Sequence, residues 1–196
     1  MKKYIRDQIK KSYETKQAIY ENEDLLNNIE EVAQKCVDLY RTDRKTILAG
    51  NGGSAADAQH IAAELVGRYG FDRPSIPSLA LTTDTSNLTA IGNDYGYDQV
   101  FSRQLEGMGQ EGDIFIGIST SGNSMNIIKA FESAKKKNIT TVALTGRDGG
   151  EMAKIADIAL VVPSDSTPRI QESHILIGHI ICDIIEKEIF GDGVTS

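Results

Sequence analysis

His60 and Glu64 stand four residues apart in the stretch Gly50-Asn51-Gly52-Gly53-Ser54-Ala55-Ala56-Asp57-Ala58-Gln59-His60-Ile61-Ala62-Ala63-Glu64-Leu65. That spacing puts an imidazole and a carboxylate on one face of the helix the segment predicts. Such a pair can ligate a metal ion or divide acid and base roles. The helix follows an apolar run, Ile47-Leu48-Ala49, and a glycine turn. Its first N–H groups are therefore unpaired and attract anions. Asp57, His60, Glu64 and Arg68 share a stripe distinct from the apolar face of Ala58, Ile61, Ala62 and Leu65. A polar stripe on a surface helix is the plainer account of these residues; what singles them out is their place behind the glycine loop.

A second stretch, Ser119-Thr120-Ser121-Gly122-Asn123-Ser124, follows the apolar run Ile114–Ile118 and leads into a helical pattern, Ser124–Lys137. Hydroxyls together with the free N–H groups of a helix start can enclose a phosphate monoester without any cation. Helix capping would explain Ser124 alone, but not four hydroxyls within six residues at the carboxyl end of a strand. Polyphosphate sites fit less well. Gly50–Ala55 can be forced into a dinucleotide fingerprint, but the nearest acidic residue at the next strand end, Asp84, lies too far along. No P-loop motif occurs.

The C-terminal helical segment supplies further candidates. Gln171, Ile175 and His179 share a stripe, with His174 somewhat off it, in a segment rich in Ile, Leu and Cys. Polar side chains there are costly to bury without partners, and hydrogen-bonded core histidines are the competing account. His60, Glu64, Gln171 and His179 together suit a zinc site, although glutamine is an unusual zinc ligand. The alternative is metal-free, with Glu64 as general base and His179 as acid. The two conflict, because a residue engaged on a metal is a poor free base, and the sequence supports both.

The elements that would position these groups alternate. Strands are predicted at Thr46–Ala49, Ser78–Leu81, Ile114–Ile118, Thr140–Leu144 and Ile158–Val162, each a short apolar run bounded by Gly, Pro, Asp or Asn. Helices are predicted at Ser54–Val66, Thr85–Ile91, Tyr97–Glu106, Ser124–Lys137, Gly150–Ala156 and about Arg169–Phe190. The pattern predicts a three-layer α/β/α sandwich on a five-stranded parallel sheet, with ligands beyond the carboxyl ends of the strands. Residues 1–43 read as two extra helices broken near Asn22-Glu23-Asp24. The stripe Tyr4, Ile5, Ile9 and Tyr13 packs either on another subunit or on its own domain.

Composition sets bounds on function. With 196 residues and no linker or low-complexity segment, one domain spanning 1–196 is expected. A net charge of -7 argues against a nucleic-acid surface, so an anionic substrate must be held by local donors. The two cysteines, Cys36 and Cys182, fall inside apolar helical patterns and read as buried thiols in a reducing compartment. The N-terminus lacks the apolar segment of a signal peptide, and no apolar run approaches the ~20 residues that span a bilayer. A cytoplasmic protein without membrane contact is expected.

Gly50-Asn51-Gly52-Gly53-Ser54, His60 with Glu64, Gly92-Asn93-Asp94-Tyr95-Gly96, Gly117–Ser124, Leu144-Thr145-Gly146, and Arg169-Ile170-Gln171-Glu172 with His174 and His179 occur in order along the chain. Together they resemble the sedoheptulose 7-phosphate isomerases, the phosphoheptose isomerases of the sugar isomerase (SIS) fold family. The resemblance implies interconversion of sedoheptulose 7-phosphate and D-glycero-D-manno-heptose 7-phosphate, the first step towards activated heptoses of surface glycans such as lipopolysaccharide or capsule. It implies a homotetramer with active sites between subunits, where residues 1–43 would pack. It further implies that Ser119, Thr120, Ser121 and Ser124 hold the phosphate, while Asn51, Gly52, Gly53 and Ser54 contact the sugar. Arg68, Asn93, Asp94 and Gln171 would help to bind and position the sugar, and Glu64 and His179 would move protons. One zinc ion per subunit, on His60, Glu64, Gln171 and His179, is implied as well. The family pattern has an acidic residue before Arg169-Ile170-Gln171; this chain has Pro168 there, and no sugar contact is assigned to it.

Under this resemblance the second loop takes the phosphate, and the glycine loop brings backbone to the sugar while its helix presents His60 and Glu64. A rival of another class is a non-catalytic SIS protein that binds a phosphosugar or the bacterial replication initiator. The complete set His60, Glu64, Gln171 and His179 beside intact phosphate loops favours the enzyme.

Overall fold

The computed structural model describes residues 1–191. Two helices come first, α1 (Lys2–Tyr20) and α2 (Glu23–Tyr40), and Asn22 caps the second by accepting the Leu25 N–H. Then follow β1 (Thr46–Gly50), α3 (Gly53–Val66), β2 (Ser78–Ala80), α4 (Thr85–Tyr95), a short 3-10 turn (Tyr97–Gln99) and α5 (Ser102–Met108). The chain continues through β3 (Ile114–Ser119), α6 (Met125–Lys136), β4 (Thr140–Gly146), α7 (Gly150–Ile155), β5 (Ile158–Val162) and α8 (Thr167–Phe190).

All five strands are parallel, in the order β2-β1-β3-β4-β5. The central strands β1, β3 and β4 are buried on both faces, and alternate side chains enter two cores. Leu48, Ile116, Ile118, Leu144 and Leu160 face a layer built from α2, α3 and α8, with Ile19 of α1 at its edge. Ile47, Ala49, Phe115 and Ala143 face α5, α6 and α7. The expected three-layer sandwich is the architecture found.

Strand order reverses between β1 and β3, whose register pairs Gly50 with Ile118. The loop after β1 feeds α3 in one layer and the loop after β3 feeds α6 in the other. They diverge and open a crevice at the carboxyl end of the sheet, where open parallel sheets bind ligands. Both candidate loops meet there.

The helices differ most from expectation at three places, while β4 runs on to Gly146, beyond the expected Leu144. The predicted helix Tyr97–Glu106 is broken, and the Ser102 hydroxyl bonds to the Gln99 carbonyl at the interruption. The predicted helix Thr85–Ile91 runs on through Gly92 to Tyr95 and stops only at Gly96, whose φ of +89° leaves the right-handed region. The last helix starts at Thr167, ahead of Pro168; a proline in the first turn loses no helical hydrogen bond. Tyr4, Ile5, Ile9 and Tyr13 of α1 are exposed, so packing on their own domain does not cover that stripe. Cys36 and Cys182 are buried free thiols, each pushed up to about 12 chiefly by desolvation. Among the described residues, no helix is long and apolar enough to cross a membrane.

Candidate active site

Helices α3 and α8 cross closely because Gly178 has no side chain where Ile61 presses against it. One residue along from each contact, His60 and His179 face each other, with ring centroids 5.0 Å apart in an edge-on arrangement. His60 Nε2 donates to Glu64 Oε1 at 2.9 Å. Ligand atoms of His60, Glu64 and His179 all lie within 4.8 Å of one another. The i, i+4 pair read from the sequence and a histidine from the far end of the chain thus converge. His179 Nε2 is buried without a hydrogen-bond partner, while the His60 side chain is half exposed.

Gln171 lies two turns before His179, and its carboxamide rests against Gly53, the first residue of α3, where any Cβ would collide with it. Asp57 points one Oδ into a buried position without a partner; burial lifts its carboxyl to about 6, against the pull of His60. His174 belongs elsewhere. It is fully buried, its Nε2 donates to the Thr145 carbonyl at 2.9 Å, and burial depresses it to about 4 against that bond. It is a neutral core histidine, whereas His179 belongs to the cluster.

Across the crevice, the hydroxyls of the second loop turn inward. Ser119 Oγ lies 2.8 Å from Ser124 Oγ and 3.4 Å from Ser121 Oγ. Ser124 occupies the cap position of α6, yet its side chain caps nothing. Capping therefore fails even for the one serine it was meant to explain; the Ser124 carbonyl, not its hydroxyl, takes the Ile127 and Ile128 N–H groups. Gly122, with φ of +67°, packs directly on Gly149 and Gly150, too close for any side chain.

The remaining predicted residues are less concentrated. Asn51 enters the crevice bonded to Asn126, and Gly52, at φ of +58°, turns the chain into α3 ahead of buried Ser54. Arg68 is exposed just past the end of α3. Asn93 and Asp94 are exposed in the last turn of α4 and bond to each other at 2.8 Å. Sequence reasoning missed Asn126, Tyr97, Tyr69 and the buried pair Arg73–Glu186. Tyr69 lies 5.6 Å from the His179 ring. Glu186 accepts the N–H groups of Tyr69, Gly70 and Phe71 and pairs with Arg73 at 2.8 Å, which also donates to the Glu64 carbonyl. This shapes the loop behind the cluster.

A cavity of about 420 Å³ between α1 and the β5–α8 loop, lined by Lys11, Thr15, Ser166 and Arg169 among others, shares no residue with the His60–Glu64–His179 cluster. This hollow lies away from the chemistry, and the converging side chains are the better guide.

Comparison with known proteins agrees with this geometry. The SIS domain family model matches residues 9–146. The phosphoheptose isomerase of Sulfurimonas denitrificans is 88% identical over 195 residues, covering 100% of both chains. That of Aneurinibacillus thermoaerophilus is 62% identical over 196 residues, covering 100% of this chain and 99% of its own. Phosphoheptose isomerase GmhA from Neisseria gonorrhoeae superposes with a TM-score of 0.89 at 44% identity, over 95% of this chain and 98% of that one. A phosphoheptose isomerase from Francisella tularensis gives 0.91 at 37%, over 94% and 97%. The chain belongs to the SIS-domain family, within its phosphoheptose isomerase branch.

Proposed function

We propose that this chain is an aldose–ketose isomerase converting D-sedoheptulose 7-phosphate to D-glycero-D-manno-heptose 7-phosphate, the first step towards activated heptose. One observation carries the reading: two imidazoles and a carboxylate, brought by α3 and α8 from distant parts of the chain, converge within 4.8 Å of one another. The names of the relatives at 88% and 62% identity support it.

In this reading Ser119, Thr120, Ser121 and Ser124 hold the phosphate, with the start of α6 behind them. Asn51, Gly52, Gly53 and Ser54 meet the sugar, and Arg68, Asn93, Asp94 and Gln171 orient it. Glu64 and His179 share the proton transfers. The base takes the proton from the C1 carbon of the ketose while the acid protonates the C2 oxygen, giving a cis-enediol. The C1 hydroxyl then gives up its proton as C2 receives one, and the aldose results. Phosphate binding far from C1 and C2 restrains the reacting end, so remote binding energy serves the chemistry.

The residues present fit a zinc ion. Two histidines and a carboxylate form a suitable donor set, and the orphaned buried His179 Nε2 lacks the partner a ligand would supply. His60, Glu64, Gln171 and His179 would hold it, and its chemistry there would be polarisation of the sugar's carbonyl oxygen. Glu64 serves less well as a base while it is a ligand, so metal dependence of turnover is an essential measurement.

A homotetramer with sites completed between subunits suits the half-exposed His60 and the uncovered stripe Tyr4, Ile5, Ile9 and Tyr13. Residues 1–196 form one SIS domain in this reading, with residues 1–43 at the subunit interface and the protein cytoplasmic. The test is incubation with sedoheptulose 7-phosphate, with and without chelator, following the aldose by NMR. Formation of the 7-phosphorylated aldose is expected, with loss on chelation; absence of aldose from metal-replete protein overturns the enzyme reading.

A further inference from the structure

Asn51 and Asn126 face each other across the crevice and exchange two hydrogen bonds. Asn51 Nδ2 donates to Asn126 Oδ1 at 2.9 Å, and Asn126 Nδ2 donates to Asn51 Oδ1 at 2.8 Å. The Tyr97 hydroxyl donates to the same Asn51 Oδ1 at 3.2 Å. A carboxamide has two donor hydrogens and two acceptor lone pairs. Both lone pairs of Asn51 Oδ1 and one of its hydrogens are therefore engaged. What Asn51 has left to offer is a single N–H.

Asn126 is 3% exposed and sits in the first turn of α6, behind the hydroxyl loop. Nothing in helix formation calls for asparagine there: the side chain caps no backbone group, and asparagine is a mediocre helix former. A buried carboxamide is costly unless its partners are all in place. Its partner here is the residue that directly follows β1, so the amide pair ties the β1 loop to the first turn of α6 where the strand order reverses.

We propose that Asn126 is a positioning residue acting through Asn51, and that Tyr97 assists it. Together they hold the Asn51 carboxamide in one orientation, so that it meets an acceptor oxygen of the sugar with a fixed N–H donor. This rests on the proposed isomerase reading, in which Asn51 contacts the sugar.

The test is a set of variants assayed for kcat and KM on sedoheptulose 7-phosphate, with inorganic phosphate as a competing probe of the hydroxyl loop. Asn126→Leu is expected to lower kcat/KM by about 10- to 100-fold, and Tyr97→Phe by about 3- to 10-fold, each the loss of fixed hydrogen bonds. Inhibition by phosphate should stay within about twofold of wild type in both, since the hydroxyl loop is not what they hold. Asn51→Ala combined with Asn126→Leu should be no slower than Asn51→Ala alone. Additive losses, or phosphate inhibition weakened as much as kcat/KM, overturn the inference. If Asn126→Leu does not fold, Tyr97→Phe decides, because its ring is exposed: turnover equal to wild type overturns the inference. Wild-type turnover separates the two ideas. Without it the isomerase reading and the inference fall together; with it, additive losses remove the inference alone.

Discussion

Gly178 of α8 and Ile61 of α3 approach so closely that a Cβ on the glycine would lie 2.6 Å from Ile61 Cδ1. The crossing distance of these helices sets how near His179 comes to His60 and Glu64, because those residues are carried on the same turns. Gly178→Ala should force the helices apart or push Ile61 off its rotamer, at a cost of about 1–3 kcal/mol. Turnover should fall with it, since small displacements of reacting groups are expensive. Denaturant unfolding and a kcat measurement check both effects, and a variant with wild-type values for both would show that the crossing has slack.

Glu64→Gln keeps the shape of the side chain and a partner for His60 but cannot take a proton. Turnover should drop by about 1,000-fold or more, while calorimetric binding of the sugar phosphate changes little. Metal content measured on the same sample shows whether coordination has been lost with the base. Near-normal turnover would remove Glu64 from the proton-transfer role.

Much of this arrangement is legible along the chain, and the reason is local. The central strands are buried on both faces and so read as unbroken apolar runs, such as Ile114–Ile118. The turn at Gly52, the His60–Glu64 spacing and the hydroxyl loop are each contained within a few residues. What was not legible depends on helices meeting. Gly178 reads as a weak helix residue until Ile61 is placed against it. Glu186 reads as a surface charge until Arg73, 113 positions away, is found beside it. Asn126 reads as a residue near a helix start, with no sign of Asn51. The helix α4 continues through Gly92 because one glycine costs only about 1 kcal/mol, too little by itself to end a helix.

Ser124 separates a structural from a functional serine. A serine capping α6 through its side chain would cost about 1 kcal/mol on replacement by alanine. Its hydroxyl faces Ser119 and caps nothing, so Ser124→Ala should leave unfolding within about 0.5 kcal/mol of wild type. KM for the sugar phosphate should rise by about tenfold, for one lost hydrogen bond to an anion. A stability loss with KM unchanged would restore the capping role.

Glu186 and Arg73 are both 1% exposed at the side chain, so breaking the pair strands a buried charge. Desolvation raises the Glu186 carboxyl, but the N–H groups of Tyr69 and Gly70, the Arg73 guanidinium and the Phe71 N–H outweigh it and hold the group below its usual range. Glu186→Gln should cost about 3–5 kcal/mol at neutral pH. A depressed folded-state value means that the contribution is complete above the unfolded carboxylate value and is lost as pH falls through the folded one. The stability difference between wild type and Glu186→Gln should therefore be flat near neutrality and shrink only in the acid range below the unfolded value of 4.5. A difference that does not change with acid would assign the effect to packing instead of charge.

His174 acts at higher pH with the same sign of linkage, although here burial favours the neutral form. Buried against the Thr145 carbonyl, it is depressed from 6.5 to about 4, whereas the unfolded chain takes up the proton at the ordinary value. Between those values the unfolded state binds more protons, so stability must rise with pH across that window. Its depressed value makes about 3 kcal/mol of stability available at neutral pH that is lost by pH 4, since each pKa unit is worth about 1.4 kcal/mol. Two measurements isolate it. The His174 ring should show no titration in NMR spectra from about pH 8 down to pH 5, because the folded protein does not charge it there. The stability difference between wild type and His174→Gln, in which titration of Asp57 and other common groups cancels, should shrink as pH falls over the same interval. A His174 ring that titrates near 6.5 in the folded protein would mean that the core around Thr145 admits water and that the histidine is not the neutral donor this packing requires.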